Sequence, residues 1–512
     1  MRFFWIIILF GLGSQLGAQS TYFNMRYPET GAWGSGTRAI VNQNDSLYVN
    51  IGYNFNAAGF KSQTFSTMNI TNGSNTLGVR IEADSTEVFS GSLIGYSQGG
   101  FYDVMSIESI TDSLVYRYMV VKYDVYGDTV FTKTYIDNSL FLSVLDVVED
   151  RDEGLVFVGR IQTIPANQMG TEDIILIKTD SLGNELWRRV YGNTTNFEQG
   201  FSVQITPDSG YIIGGAVYHP DFSDEQRPYI IKIDSVGNVE WEQTYGAVDT
   251  NNLPVYNIIN TQDGGYAFVG GLGVMKYTGS DTHFPWIVKL DSQGNIMWSK
   301  MNKEGSPSPV FSEYHDLIEL ADGSLVVCGT HVRLNLDTVN FKGKYSTMGV
   351  IAKYSANGDS LWSRSFVHPE NVQSPWSDHF FNSIVQTDDG GFAAAGYLLP
   401  NPPDTGTQDT WVVKVDSFGC LVQGCEVVSV PQIETSIAAL KIYPNPTHNL
   451  LNIEITPNGN PRVYDFELYD LLGKRVLTQK LQSYQNTISV SGLASGIYTY
   501  KIDEVWGKIV IE

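Results

Sequence analysis

One recurring segment decides the fold: Ile-Lys-Thr-Asp-Ser-Leu-Gly-Asn-Glu-Leu-Trp (177–187), Ile-Lys-Ile-Asp-Ser-Val-Gly-Asn-Val-Glu-Trp (231–241) and Val-Lys-Leu-Asp-Ser-Gln-Gly-Asn-Ile-Met-Trp (288–298). Looser copies are anchored on Lys122, Lys353 and Lys414, and a degenerate copy on Met68. The central Asp, Gly and Asn favour a tight turn, because they supply turn hydrogen bonds and positive φ, and the apolar runs on both sides favour strands. Each copy therefore predicts a β-hairpin.

A second pattern, Asp-x-Gly with another glycine five residues further on, precedes each of these hairpins. It is clearest at 208–215, 263–270 and 389–396, and weaker copies lie at 152–159, 322–329, 45–52 and 84–91. Its apolar flanks and Asp/Gly turn predict another hairpin, so each unit has four strands. Successive lysines of the first pattern are 54 to 64 residues apart. Seven such units predict an all-β chain that forms a seven-bladed β-propeller over residues 19–430.

The repeated polar and aromatic residues have a structural interpretation. Asp180, Asp234 and Asp291 are expected to cap their turns, because one carboxylate per turn is far short of the six to eight oxygens that calcium takes. One tryptophan per unit suits packing between blades. We therefore expect no metal and no cofactor. The repeats resemble the Asp-Ser-x-Gly-Asn-x-x-Trp repeats of secreted bacterial β-propeller proteins over about residues 38–425.

Composition and the N-terminal residues indicate export. The 512 residues carry 55 acidic and 32 basic side chains, a net charge of −23, which disfavours nucleic acid and anionic membrane surfaces as partners. Residues 1–18 have the basic start, apolar run and small-residue end of a signal peptide. No later stretch approaches the roughly 20 apolar residues of a membrane span. We expect the mature chain to be secreted, with no membrane span.

The last part of the chain predicts a separate domain. Residues 431–436 look like a short linker, and residues 437–512 contain about seven short alternating strands. So many strands in so few residues predict a small immunoglobulin-like β-sandwich.

Four motifs in this domain resemble the type A C-terminal sorting domain of the type IX secretion system of Gram-negative bacteria. Their signature residues are Tyr443, Pro444, Asn445, Pro446, Leu472, Gly473, Lys474, Gly496, Tyr498, Gly507 and Lys508. The resemblance implies partners in the type IX secretion machinery and passage across the outer membrane. It also implies removal of the domain by a sortase-like peptidase that can link the product to surface lipopolysaccharide. The location that follows is outside the cell or on its outer surface.

Export also bears on the three cysteines. Cys420 and Cys425 lie five residues apart where the last repeat ends, and an oxidising exterior permits a disulfide between them. Cys328 lies in the apolar run 325–328 and is expected to be a small buried side chain.

No catalytic motif occurs, so function is sought on the loops. The tight turns leave the longer connections to the opposite face of the propeller, and loops on a rigid scaffold often carry binding residues. These connections are rich in histidine and aromatic residues, and we take as a candidate binding face His219, His283, Tyr314, His315, Trp376 and His379. The first hypothesis is a non-enzymatic module that binds or adheres to a glycan or a protein. The alternative is a polysaccharide lyase or hydrolase on the same face, and a third is a structural coat component.

Overall fold

The computed structural model contains two compact units, Met1–Gln423 and Gly424–Glu512. The predicted signal peptide, the linker 431–436, His219, Trp376, Cys425, Leu472 and Gly473 lie outside the residues that the structure describes. Those residues are 23–27, 36–43, 46–55, 61–69, 75–81, 86–96, 99–109, 116–124, 128–137, 139, 141–162, 172–193, 196–218, 226–246, 252–277, 280–302, 312–334, 345–368, 378–399, 409–421, 437–457, 463–470, 474–502 and 505–512.

The first unit consists of seven antiparallel four-stranded sheets, one per repeat. Blade 1 consists of β2(Gly36–Gln43), β3(Ser46–Phe55), β4(Lys61–Asn69) and β5(Asn75–Ile81). Blade 2 consists of β6(Thr86–Gly95), β7(Phe101–Ser109), β8(Tyr116–Tyr123) and β9(Thr129–Asp137). Blade 3 consists of β10(Phe141–Glu149), β11(Leu155–Gln162), β12(Asp173–Thr179) and β13(Glu185–Tyr191). Blades 4 and 5 are β14(Phe197–Ile205), β15(Tyr211–Tyr218), β16(Gln226–Ile233), β17(Val239–Thr244); and β18(Asn257–Asn260), β19(Tyr266–Tyr277), β20(Ser280–Leu290), β21(Ile296–Met301).

Blade 6 is β22(Glu313–Glu319), β23(Leu325–Leu334), β24(Tyr345–Tyr354), β25(Ser360–Phe366), and blade 7 is β26(His379–Gln386), β27(Phe392–Leu398), β28(Asp409–Val415) with β1(Phe23–Tyr27). The first strand of each of blades 1 to 7 contacts the first strands of both neighbouring blades, and the contacts return from blade 7 to blade 1. These seven strands therefore surround a central channel. The predicted seven-bladed β-propeller is confirmed.

The ring is closed by an N-terminal strand. Strand β1 pairs antiparallel with β28, with Met25 opposite Val412, and becomes the outer strand of blade 7. Trp411 Nε1 donates to Asn24 Oδ1 at 2.7 Å, and Asn24 Nδ2 donates to Val367 O at 2.9 Å. Blade 7 is thus built from both ends of the propeller segment, so the ring cannot open without separating these strands.

The Asp-x-x-Gly-Asn turns are capped by their own aspartates. Asp234 Oδ1 accepts from the backbone amides of Val236 and Asn238 at 3.0 and 2.8 Å, and Oδ2 accepts from the Asn238 side chain at 2.8 Å. Gly237 takes the positive φ of 91° that completes the turn. The same bonds form at Asp180 and Asp291. Turn amides therefore occupy the oxygens that a calcium ion would need.

A buried lysine joins the two hairpins of a blade. In blades 3 to 7 the repeated lysine reaches back to the aspartate of the first turn, in the pairs Lys178–Asp152 (2.9 Å), Lys232–Asp208 (2.9 Å), Lys289–Asp263 (2.7 Å), Lys353–Asp322 (3.8 Å) and Lys414–Asp389. The two sequence patterns are therefore halves of one ion-paired unit, which explains why their charged residues recur together.

Blade 2 departs from the predicted register. Its first hairpin turns at Tyr96–Gly100, with Tyr96 N donating to Gly100 O at 3.2 Å, and not at Asp84. Gly91 lies on the innermost strand β6. The assignment of 84–91 to the second pattern, Asp-x-Gly, is therefore wrong. With no aspartate at this turn, the Lys122 ammonium lies 4.3 Å from the centre of the Tyr96 ring, a cation–π contact that replaces the ion pair.

The repeated tryptophans pack between blades. The Trp241 ring of blade 4 lies against Gly294 in the turn of blade 5, where an added Cβ would come within 3.0 Å of it. Trp298 packs in the same way on Gly358 of blade 6, and its Nε1 donates to Ala356 O at 3.0 Å. The outer strand of one blade therefore holds the turn of the next.

The two cysteines that the structure describes differ in oxidation state. Cys420 is disulfide-bonded, and Cys328 is a free thiol in the core whose pKa is raised by burial. The pairing of Cys420 with Cys425 stays a prediction.

The second unit has two antiparallel sheets. One contains β29(Ile437–Tyr443), β30(Leu450–Pro457) and β33(Tyr484–Ser489), and the other contains β31(Val463–Tyr469), β32(Arg475–Gln482), β34(Gly496–Ile502) and β35(Val505–Ile511). Both sheets contribute to a core that includes Leu451, Ile453, Phe466 and Ile509. The unit is therefore a small β-sandwich, as expected for the immunoglobulin-like domain.

Several signature residues of this domain have specific structural contacts. Asn445 Oδ1 accepts from Val510 N at 2.8 Å, and its Nδ2 donates to Lys508 O at 3.1 Å. Tyr498 donates to Ala494 O at 2.7 Å. Gly507 lies under the Tyr500 ring, where a Cβ would come within 2.2 Å of the hydroxyl oxygen. The motif at 443–446 therefore holds the last strand of the domain.

Candidate ligand site at the channel mouth

The innermost strands share a β-bulge that turns one side chain out of the regular alternation. The register of strand pairing shifts at Arg38 in β2, at Ser90 in β6, at Leu145 in β10, at Phe201 in β14, at His315 in β22 and at Asn382 in β26. Tyr256 holds the same place before β18, because Val255 N donates to Gly215 O and Tyr256 N donates to Val269 O. The bulge is thus a repeated feature of the propeller and not an irregularity of one blade.

The last glycine of the Asp-x-Gly pattern makes room for this bulge. A Cβ on Gly215 would lie 1.9 Å from Gln199 O, and one on Gly329 would lie 2.1 Å from Glu313 O. Such contacts are impossible without moving the backbone, so only glycine fits opposite the bulge. The sequence pattern therefore encodes the bulge as well as the turn.

The bulge residues differ in exposure from their neighbours. Phe201, Tyr256 and His315 are partly exposed, whereas Tyr314, next to the bulge, is fully buried between blades. The bulge residue is the third to fifth residue of β10, β14, β22 and β26, and Tyr256 precedes β18. The bulges therefore lie between the centre of each strand and its start, where the long connections are. The side chains therefore line the mouth of the channel on the face where the sequence predicted function.

Three aromatic rings from adjacent blades form a continuous cluster there. The Phe201 and Tyr256 rings are 6.0 Å apart and nearly perpendicular, and the Tyr256 and His315 rings are 4.6 Å apart with planes inclined at 36°. These are the distances of favourable aromatic pairs. Blades 4, 5 and 6 thus present one aromatic surface at the channel mouth.

A buried carboxylate lies beside this surface. Glu313 is 5% exposed, and its Oε2 accepts from the Tyr256 hydroxyl at 3.5 Å. His315 Nε2 lies 3.1 Å from Glu313 Oε1, although it is not aligned as a hydrogen bond donor. Burial, reinforced by the Glu313 charge, raises the pKa of Tyr256, so its hydroxyl stays protonated and able to donate. We define Phe201, Tyr256, Glu313 and His315 as the channel-mouth cluster.

Deeper acidic groups in the channel serve to join blades. Asp146 accepts from Ser92 Oγ at 3.1 Å and from Val203 N at 3.0 Å, which links blades 2, 3 and 4. Asp316 accepts from Ser383 Oγ and Ile384 N of blade 7, at 2.9 and 2.8 Å, and from Asn257 of blade 5. Burial raises the pKa of Asp146 to about 6 and also raises that of Asp316. Their oxygens are occupied by neighbouring blades, so these groups are not ligand contacts.

Glu198 is a second carboxylate that sequence reasoning did not single out. It lies near the start of β14, is 3% exposed, and its Oε2 has no partner among the described residues. Burial, followed by the charge of Asp173, raises the pKa of Glu198 to about 7. No sequence motif marks it, because the effect depends on Asp173 of the neighbouring blade.

The residues of the predicted binding face do not form one surface. His315 belongs to the channel-mouth cluster. Tyr314 and His379 were expected in exposed loops, but they are strand residues with no exposed surface, and His283 is 8% exposed on β20. Tyr314 is buried because its hydroxyl bonds to Asn302 and Tyr354 between strands, and His379 because it packs edge-on against Trp411. His219 and Trp376 lie outside the described residues.

The fold defines the class of this protein, a β-propeller followed by a small β-sandwich. Residues 441–512 match the family model of the secretion system C-terminal sorting domain. The chain is therefore exported by the type IX secretion system of Gram-negative bacteria and is secreted or located at the cell surface, and it interacts with that machinery. No curated protein matches the sequence. Among the described residues there is no helix able to cross a membrane.

The solved structures that resemble this chain are distant in sequence. The β-propeller domain of the Trilobed protease from Pyrococcus furiosus is 9% identical with a TM-score of 0.41, and the match covers 78% of this chain and 99% of that chain. The α-L-arabinofuranosidase of Fusarium graminearum is 10% identical with a TM-score of 0.38, over 78% of this chain and 98% of that chain. Similarity at this level says nothing about activity.

Proposed function

We propose that this exported propeller is a non-enzymatic binding module that recognises a glycan at the channel-mouth cluster and serves in adhesion. The observation that carries the proposal is the contact of three aromatic rings from adjacent blades with one buried carboxylate. Aromatic rings pack against the apolar faces of sugars, and a few polar groups fix their orientation. The cluster supplies both kinds of contact on a rigid scaffold.

The carboxylates of the channel support binding over hydrolysis. Glycoside hydrolysis uses two carboxyl groups that flank the scissile bond. Asp146 and Asp316 already accept hydrogen bonds from neighbouring blades, and Glu198 Oε1 accepts from Asn193 Nδ2 at 2.8 Å. Within the described inner strands, Glu313 is the carboxylate that contacts the aromatic rings. We also propose that residues 1–18 are a signal peptide, that Cys420 pairs with Cys425, and that a sortase-like peptidase removes the sorting domain and anchors the product.

A glycan array probed with the exported protein tests this proposal. We expect selective binding that Tyr256→Ala reduces about tenfold or more, because the central ring of the cluster is lost. Phe418→Ala removes an aromatic ring that is 50% exposed in the tight turn of blade 7 and should leave binding unchanged. Binding that Tyr256→Ala does not alter would refute the site. Release of reducing ends or unsaturated products from the bound glycans would instead establish an enzyme.

A further inference from the structure

We infer that the ligand of the channel-mouth cluster carries a positively charged amino group, as a glycan with unacetylated amino sugars does. The inference rests on the proposed function and deepens it. The charge of the innermost strands points to it first. These strands carry seven acidic residues and one arginine; the acidic residues are Glu87, Asp146, Glu149, Glu198, Glu313, Asp316 and Glu319. The arginine, Arg38, lies in blade 1, which does not adjoin blades 4, 5 or 6.

Acidic residues outnumber basic ones seven to one on these strands, and such an excess of one sign attracts ions of the opposite sign to the opening, because the surrounding protein screens the field poorly. The whole chain adds to this effect with its net charge of −23. Glycans rich in uronic acid or sulfate would be repelled. A cationic ligand is attracted before it makes contact.

The contacts of Glu313 then favour a cation at the cluster itself. The carboxylate is almost fully buried, and no lysine or arginine of the described residues forms an ion pair with it. Its neighbours are a phenol at 3.5 Å and an imidazole nitrogen that is not aligned to donate. A buried carboxylate is stabilised by a charged hydrogen-bond donor, and an ammonium group is a compact donor of this kind.

The aromatic rings supply the second half of such a site. The Phe201 and Tyr256 rings are neighbours with nearly perpendicular planes, so their faces can contact a ligand from two directions. An ammonium ion within about 6 Å of a ring centre is attracted to its face, and the attraction is stronger where water is excluded. A carboxylate beside aromatic walls is the arrangement that recognises amino groups rather than acetamido groups, which have no charge.

Two oligosaccharides of the same backbone separate the two proposals. The full-length exported protein is titrated with the glucosamine hexamer and with the N-acetylglucosamine hexamer at pH 6, where the free amines are protonated. We expect the amino hexamer to bind about tenfold more tightly, and the preference to shrink as salt is added. Glu313→Gln should remove the preference while leaving the weaker binding of the acetylated hexamer, which also shows that the variant is folded.

Glu319→Gln is the matched control. It removes the same charge from the other end of strand β22, where Glu319 Oε2 accepts from Gln262 N at 2.8 Å, and should keep the preference. Equal binding of both hexamers, lost in Tyr256→Ala, would overturn the charge inference and leave the proposed site intact. A preference that survives Glu313→Gln would also overturn it, because the amines would then bind the acidic surface at large. Binding of neither hexamer, nor of any array glycan, would overturn both.

Discussion

At the residue scale, Glu198 makes a testable contribution to stability. Its folded-state pKa of about 7 is above the ordinary value of 4.5, so the cost of ionisation to folding grows from about pH 4.5, is complete above about pH 7 and is absent below about pH 4. We predict that Glu198→Gln raises the free energy of unfolding on the order of 2 kcal/mol at pH 8 and has almost no effect at pH 4. Thermal melts of both proteins across this range measure the difference.

Asp208→Asn should change the free energy of unfolding in the opposite direction to Glu198→Gln. Burial alone would raise the pKa of Asp208, but hydrogen bonds from Thr206 and Lys232 lower it to about 2. Its charge therefore stabilises the fold above the ordinary value of 3.8, and the contribution is lost as the pH falls toward 2. Asp208→Asn should lower stability at pH 8. A Glu198→Gln variant that melts like the parent at both pH values would contradict the assignment of a raised pKa.

The turn residues could be predicted from the sequence, but their long-range partners could not. Asp234 and Gly237 act on their own turn, so local chemistry was sufficient. The ion pair of Lys232 with Asp208 and the fit of Gly215 against Gln199 O join different strands of one blade, so they depend on how those strands pair. The exposure of Tyr314 was mispredicted for the same reason, because its burial depends on Tyr354 across the sheet. The sequence repeat identified most of these residues, but their structural roles depend on the residues that they contact in the folded chain.

At the element scale, the tryptophan of each outer strand couples neighbouring blades. Trp298 packs on Gly358 and donates to Ala356 O, so Trp298→Ala removes contacts between blades 5 and 6 and leaves a carbonyl without its donor. We predict a loss of about 2 to 3 kcal/mol in the free energy of unfolding, at the low end for tryptophan because the ring is partly exposed. Denaturant unfolding followed by far-ultraviolet circular dichroism measures it.

Leu361→Ala is a suitable control on the next outer strand. Leu361 is 52% exposed and follows the same edge of the propeller, so its truncation should change stability by less than about 0.5 kcal/mol. If Trp298→Ala and Leu361→Ala had equal effects, the interlocking of blades by tryptophan would be wrong.

Element order was predictable because each blade is local in sequence, whereas closure was not. The seven units follow from repetition, but nothing in 23–27 resembles the repeat, and its pairing with β28 joins residues nearly four hundred positions apart. Blade 2 was misread because Tyr96 and Lys122 form a cation–π contact where the other blades use aspartate. In blade 2 a cation–π contact takes the place of the repeated ion pair, and in blade 7 an N-terminal strand takes the place of the fourth strand of the repeat.

At the scale of the whole molecule, the secretion signal and the proposed ligand site belong to different units. The sorting domain spans 441–512 and has its own core, whereas the channel-mouth cluster belongs to Met1–Gln423. We predict that a chain lacking residues 437–512 stays inside the cell envelope, because the type IX machinery has no domain to engage. Immunoblots of the medium, the cell surface and the periplasm locate the protein. Tyr256→Ala changes only the ligand site and should be exported like the parent chain; truncated protein on the cell surface would show that another part of the chain directs export.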